Sequence, residues 1–211
     1  MAKIYIFDLD GTLVDSMEPA VKIVLDFLTE RGISYPDGFV KTITPLGFKG
    51  IAKYYFERMG VPLSAEEIYA CFTKSLQKAY AEEIPLKANV KETLERLRAR
   101  GDRLNVLTAS PHIFTDACLK NHGVYALFEN VWSSEDFGTL KSDVNIYHMA
   151  AERLNAPIAS CIMVDDSLHV LEVAKGAGMQ TLGVYDAFSE KDIDKIKELA
   201  DGYIADFSEI E

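Results

Sequence analysis

Four aspartates, a threonine and a lysine stand where this 211-residue chain could do chemistry. Asp8-Leu9-Asp10-Gly11-Thr12 follows the apolar run Ile4–Phe7, Thr108-Ala109-Ser110 follows Leu104–Leu107, and Asp165-Asp166-Ser167 follows Cys161–Val164. Lys141 lies in the loop after Asn130–Ser133, just before a helical pattern. Carboxylates in such a group can attack, carry protons or hold a hard cation, while hydroxyls and an ammonium can hold a small dianion. Unit charges about 4 Å apart repel by on the order of 4 kcal/mol at an effective dielectric near 20. Four clustered carboxylates against one lysine are therefore expected to draw in a cation. All-oxygen donors favour Mg²⁺ where a phosphate completes its shell.

These residues meet only if the apolar runs are parallel strands, because ligands of open α/β sheets sit beyond the carboxyl ends of the strands. Ile4–Phe7, Leu104–Leu107, Asn130–Ser133, Cys161–Val164 and Thr181–Val184 read as strands, the first and fourth apolar at consecutive positions, as strands covered on both faces are. Helical patterns with terminal signals lie between them. Asn89 with Glu92 opens one that Gly101 stops; Ser110-Pro111 opens one that Gly123 ends; Ser189 with Asp192 opens the last, which Gly202 closes. The alternation predicts an α/β fold with a doubly wound, Rossmann-like parallel sheet. One interval breaks it, since nearly a hundred residues separate Phe7 from Leu104 and a parallel crossover needs only about a dozen. That interval carries helical patterns near Glu18–Arg31, Gly50–Met59, Ser64–Glu82 and Asn89–Arg100, with a capping box at Ser64-x-x-Glu67. Only the last is needed as the crossover helix. The expected organisation is a catalytic core of residues 1–15 and 85–211 with an inserted α-helical domain of residues 16–84.

Composition narrows the partners. The chain is 48% hydrophobic and 26% charged, with 33 acidic against 22 basic residues and a formal charge of −11. Disorder is excluded by the apolar content, and no apolar run approaches the roughly 20 residues of a membrane span. The acidic balance argues against nucleic acid, whose recognition needs clustered Lys and Arg. Lys87–Arg103 is basic but interleaved with Glu92, Glu95 and Asp102, the pattern of an exposed helix face. The N-terminus runs straight into an apolar segment without the pattern of a secretory leader. Cys71, Cys118 and Cys161 are odd in number, far apart and set in apolar patterns, and are expected to be reduced, buried thiols of a cytoplasmic protein.

Asp8-Leu9-Asp10-Gly11-Thr12-Leu13-Val14-Asp15-Ser16 resembles the first motif of the haloacid dehalogenase superfamily. Thr108, Lys141 and Asp165-Asp166 resemble its second, third and fourth motifs in order and comparable spacing, and the helical insertion after motif one resembles the subclass with an α-helical cap. The resemblance spans essentially the whole chain. It implies that Asp8 is a nucleophile forming an aspartyl-phosphate, and that Asp10 protonates the leaving alcohol and then takes a proton from the attacking water. Gly11 would let the backbone turn beneath the phosphate, Thr108 and the N–H of Ala109 would hold phosphoryl oxygens, and Lys141 would neutralise them while restraining Asp8. Mg²⁺ would be held by Asp8, the Asp10 carbonyl and Asp166, with Asp165 acting through water. Two departures stand out. Ser142 and Val144 occupy places where the family usually has prolines, and Val170 stands where a further acid often follows motif four.

The resemblance implies a Mg²⁺-dependent phosphatase acting on a small phosphorylated metabolite; composition excludes nucleic acid and membrane as partners, and a monomer or weak dimer is expected. A sugar-phosphate mutase like β-phosphoglucomutase shares all four motifs, but that branch usually carries a His where Glu18-Pro19-Ala20 stands here. A dehalogenase has no need of Asp10 or a metal. A phospho-acceptor signalling module pairs similar residues at strand ends, yet has no helical insertion after its first strand. Substrate choice is assigned to the cap, whose segment Pro45-Leu46-Gly47-Phe48-Lys49-Gly50 carries Lys49 as a candidate anion contact, with hinges near Asp15-Ser16 and Ile84-Pro85. Phe48, Tyr54 and Tyr55 read as cap core. Ser110 and Ser167 read as helix caps.

Overall fold

A computed structural model describes residues 2–43 and 46–211, which leaves Pro45 of the expected substrate-facing segment outside the described residues. The chain divides into two compact units, residues 1–15 with 84–211 and residues 16–83. Ile84 thus belongs with the first unit, one residue away from the expected boundary; it is buried there, with its carbonyl 2.8 Å from His122 Nε2.

Six strands build the first unit: β1 (Ile4–Phe7), β2 (Arg103–Thr108), β3 (Asn130–Ser133), β4 (Cys161–Asp165), β5 (Gln180–Val184) and β6 (Gly202–Ile204). They form one sheet in the order β3-β2-β1-β4-β5-β6, every neighbouring pair parallel. This is the doubly wound order, and the strand sequence reverses between β1 and β4. All four residues of β1 are buried because both faces are covered. Ile4 and Ile6 point into a core with Trp132, Ile146, Tyr147, Met163 and Ala174. On the opposite face Phe7 meets Phe128 and Phe207 at ring separations of 6.4 and 6.2 Å. The flanking helices are α5 (Val90–Ala99), α6 (His112–Asn121), α7 (Asn145–Arg153), α8 (Leu168–Gly176) and α9 (Ile193–Leu199). Asp15 N–H donates to the Pro85 carbonyl at 3.0 Å, so the chain leaves and rejoins this unit at one place.

The second unit is helical: α1 (Met17–Thr29), α2 (Phe39–Ile43), α3 (Gly47–Arg58) and α4 (Ala65–Glu82). Its core is an aromatic cluster in which Phe72 meets Phe27 edge-on at 5.1 Å and Tyr55 at 5.7 Å. Tyr55 is fully buried and donates its hydroxyl to the Val24 carbonyl at 2.9 Å, as a core tyrosine must. The Ser64/Glu67 capping box starts α4, each side chain accepting from the other's backbone N–H at 3.2 and 2.8 Å. Among the described residues, no helix is long and apolar enough to cross a membrane.

Several local expectations are corrected. Gly202 does not close a helix: α9 ends at Leu199, and Gly202 opens β6 beside Leu182, where a Cβ would come within 3.0 Å of a Leu182 methyl. A three-residue strand is too short to show a period of two. Asn89 stands at the N-cap of α5 as expected, but its side chain does not cap the helix; at φ 60° its amide donates to both Asp206 oxygens at 2.8 and 3.0 Å. Helix α2 is a five-residue turn without a periodic signal of its own. Cys71 lies exposed on α4, while Cys118 and Cys161 are buried and all three are free.

Candidate active site

Register brings the acids together. Phe7 pairs with Val164, and Asp8 N–H donates to the Val164 carbonyl at 2.9 Å, so the residues after β1 and at the end of β4 emerge side by side where the strand order reverses. Asp8, Asp165 and Asp166 present oxygens that all lie within 4.8 Å of one another. Lys141 bridges two of them, its Nζ 2.7 Å from Asp8 Oδ1 and 2.6 Å from Asp165 Oδ2. Asp8, Lys141, Asp165 and Asp166 are each less than one-tenth exposed. Burial raises the Asp8 carboxyl well above its ordinary range; Lys141 opposes this, and Asp165, Asp10 and Asp166 add to it. Burial alone would lower Lys141, but Asp165 and Asp8 outweigh it and hold the ammonium above its ordinary value.

The two neighbouring acids at the end of β4 and just beyond it are dressed differently. Asp165 accepts from Lys141 through Oδ2 and from the Ser167 N–H through Oδ1 at 2.8 Å. Asp166 accepts only neutral donors: the Thr12 hydroxyl at 3.2 Å and the Ser189 hydroxyl at 2.9 Å. Burial, then Asp165 and Asp186, push its carboxyl up to about 7, with Ser189 and Lys87 pulling the other way. The carboxylate crowding expected at this edge is therefore present, and it is least neutralised at Asp166. Lys87 does not relieve it directly, being engaged with Asp186 at 2.8 Å and the Tyr185 carbonyl at 2.6 Å.

Backbone geometry makes room for this cluster. After β1 the chain folds into a tight turn in which the Leu9 carbonyl receives the N–H groups of Thr12, Leu13 and Val14, and Gly11 N–H donates to Val14. Gly11 has φ 75°, and a Cβ there would lie 2.8–2.9 Å from the Asp166 carboxylate. Gly11→Ala should cost on the order of 1–2 kcal/mol in backbone strain alone and push Asp166 out of place. A lowered melting temperature with weakened divalent-cation binding is the expected result; an unchanged melting temperature would refute the close approach.

Thr108 ends β2, buried, and its Oγ1 accepts from the Ser110 N–H at 3.0 Å; Ala109 between them is exposed. Lys141 is placed without the family's prolines. Tyr147 of α7 donates its hydroxyl to the Lys141 carbonyl at 2.7 Å, and Asp143 ties the loop through Thr139 and the Asn145 N–H, both at 2.9 Å. Lys49 is exposed in the helical unit, its Nζ 5.7 Å from the Tyr69 ring centre; the cluster just described is built without it.

Several site residues escaped sequence reasoning. Ser189 and Tyr147 reach the site through tertiary contacts that leave no local pattern, whereas Thr12 lies inside the first motif and only its contact with Asp166 is new. Ser110 was expected to cap α6, but Pro111 holds that position and no side-chain cap forms; the Ser110 hydroxyl donates to Asp10 Oδ2 at 2.5 Å. Ser167 does precede α8, and its side chain makes no cap bond either.

The site is thus a carboxylate cluster with a buried lysine at the switch point of a doubly wound α/β sheet, where such folds bind their ligands. The haloacid dehalogenase-like hydrolase family model matches residues 5–184, and the chain belongs to that family. It is 30% identical over 192 residues to a phosphoglycolate phosphatase of Colwellia psychrerythraea, covering 86% of this chain and 84% of the relative. It is 29% identical over 180 residues to the pyrophosphatase PpaX of Bacillus velezensis, covering 85% and 81%. The crystal structure of CbbY from Rhodobacter sphaeroides with xylulose-(1,5)bisphosphate superposes with a TM-score of 0.82 at 21% identity, covering 100% of this chain and 96% of that one. At that identity the likeness speaks for the fold.

Proposed function

We propose that this enzyme hydrolyses a small phosphorylated metabolite in the cytoplasm, through an aspartyl-phosphate on Asp8 and with Mg²⁺. That it is a phosphatase follows from its family and from relatives named as phosphatases. The finer reading is carried by one observation: three buried carboxylates converge within 4.8 Å with a single lysine among them.

The donor set suits a hard divalent ion, being all oxygen and short of positive charge. Asp165 is committed to Lys141 and the Ser167 N–H, whereas Asp166 meets only hydroxyls. Asp8, Asp166 and the Asp10 carbonyl are therefore the groups proposed to hold Mg²⁺, with Asp165 anchoring the lysine. The ion would offset the phosphoryl charge and let a dianion approach a carboxylate. In the first step an Asp8 oxygen forms a bond to phosphorus while the bond to the leaving oxygen breaks, and Asp10 gives that oxygen its proton. In the second, water attacks phosphorus, Asp10 takes back a proton, and the bond between phosphorus and Asp8 breaks to release inorganic phosphate. Thr108, the Ala109 N–H and Lys141 hold the phosphoryl oxygens throughout, and Lys141 favours the ionised form of Asp8 and orients it. Lys49 is proposed to contact a substrate anion from the helical insertion, which acts as the cap.

The test is a panel of sugar phosphates, nucleotides and glycolytic acids with purified protein, scored by inorganic phosphate. Release of phosphate from at least one, with Mg²⁺, is expected; a sugar-phosphate mutase would return an isomeric ester instead. Chelating the metal should bring hydrolysis near background, and Mg²⁺ should restore it. Asp166→Asn should weaken Mg²⁺ binding in calorimetry by roughly tenfold or more. Turnover that survives chelation unchanged would refute the metal's role.

A further inference from the structure

The hydroxyl of Ser110 is used by neither the helix it precedes nor the phosphoryl-holding group proposed above. Its oxygen lies 2.5 Å from Asp10 Oδ2, within the range of a charge-assisted O–H···O⁻ bond. We propose that Ser110 is a positioning residue for proton transfer by Asp10: it fixes the carboxyl's orientation and determines which oxygen exchanges the proton.

The backbone of Ser110 is held on both sides, which is what such a role requires. Its N–H donates to Thr108 Oγ1 at 3.0 Å, leaving the threonine's own hydrogen for a phosphoryl oxygen. Its carbonyl accepts from Thr115 Oγ1 at 3.4 Å, and Pro111 restricts the backbone immediately after it. The hydroxyl is thus aimed from the end of β2 at a carboxylate that follows β1, two adjacent strands in parallel register. Thr108, Ser110 and Asp10 form one connected chain from the phosphoryl-holding hydroxyl to the proton carrier.

Chemistry gives the contact a direction. Oδ2 can accept from Ser110 whether Asp10 is protonated or ionised, provided the mobile proton sits on Oδ1. The bond therefore survives the proton's departure and return, and it strengthens as negative charge develops on Asp10 when the leaving oxygen is protonated. An interaction that is stronger in the transition state than in the ground state raises kcat rather than tightening substrate binding. Ser110→Ala should thus leave KM close to wild type. Its effect should grow with the leaving group's need for a proton.

The proposal rests on the phosphatase reading and on Asp10 as the acid, so the experiment tests both together. Wild type, Ser110→Ala, Ser110→Thr and Asp10→Asn are compared in Mg²⁺ on 4-nitrophenyl phosphate, whose phenol leaves without help, and on phenyl phosphate, whose phenol does not. Ser110→Ala is expected to lower kcat/KM for phenyl phosphate by roughly tenfold or more, from the loss of a hydrogen bond to a charged group. It should lower that for 4-nitrophenyl phosphate by clearly less, and Ser110→Thr should restore most of the difference. Asp10→Asn should show the same preference more steeply. If Asp10→Asn discriminates between the esters while Ser110→Ala lowers kcat/KM for both equally, Ser110 does not act through Asp10. If neither variant discriminates between the esters, the proton-carrier reading itself falls and takes the proposal with it, while phosphatase turnover in wild type still stands.

Discussion

Asp8→Asn is expected to abolish Mg²⁺-dependent phosphate release, by on the order of 10⁴-fold or more. The amide keeps the shape of the carboxyl but is a poor nucleophile, and no other described acid stands in its place. Asp165 is closed off by Lys141 and the Ser167 N–H, and Asp166 by two hydroxyls and the close approach of Gly11. The variant should still fold. It removes one carboxylate from a buried cluster in which Asp165, Asp10 and Asp166 all disfavour ionisation of Asp8, and Lys141 keeps its contact with Asp165. Two measurements check this: turnover of an aryl phosphate, and mass spectrometry of acid-quenched enzyme. Wild type should carry a phosphoryl group on the peptide containing Asp8, and the variant none. Residual turnover within tenfold of wild type would remove Asp8 from the nucleophile's role.

The second large effect belongs to Asp10. Asp10→Asn should lower turnover by roughly 10²–10⁴-fold, the usual contribution of a positioned general acid and base. Both steps should be affected, because in the proposed mechanism the same carboxyl gives a proton to the leaving oxygen and takes one from the attacking water. The phosphoryl group can still reach Asp8 from an ester whose leaving group needs no proton. Slow hydrolysis should then let the aspartyl-phosphate accumulate, which stopped-flow and acid-quench measurements would reveal as a burst. A loss smaller than about tenfold would assign the proton to another group. The same variant separates a catalyst from a phospho-acceptor signalling module, because a slow-releasing acceptor would be little changed by it.

Much of this was legible in the chain. The strands carrying Asp8, Thr108 and Asp165 are short, apolar and bounded by turn residues, so their identity follows from burial on both faces. Once they are parallel, the residues after them must gather at one edge, whatever the packing. The helical insertion was visible as a length no crossover needs. Less legible were features in which one residue type serves several ends. A serine before a helix is usually a cap, yet Ser110 turns to Asp10 because Pro111 fills the cap position. A glycine after a helix is usually a stop, yet Gly202 opens a strand pressed against Leu182. Asn89 carried the signals of a cap and spends its side chain on Asp206.

The sequence by itself determined which carboxylates and which lysine stand near the strand ends, since strand patterning and chain order place those before anything packs. Only the tertiary structure decided the division of labour among them. Asp165 and Asp166 are adjacent and identical in type, and no pattern separates them. One turns to Lys141 and the other to Thr12 and Ser189, because successive residues leaving a strand point to opposite sides and meet different neighbours there. Those neighbours lie 23 to 154 residues away along the chain, and their distances and burial, on which the charge of each group depends, exist only once the sheet has formed.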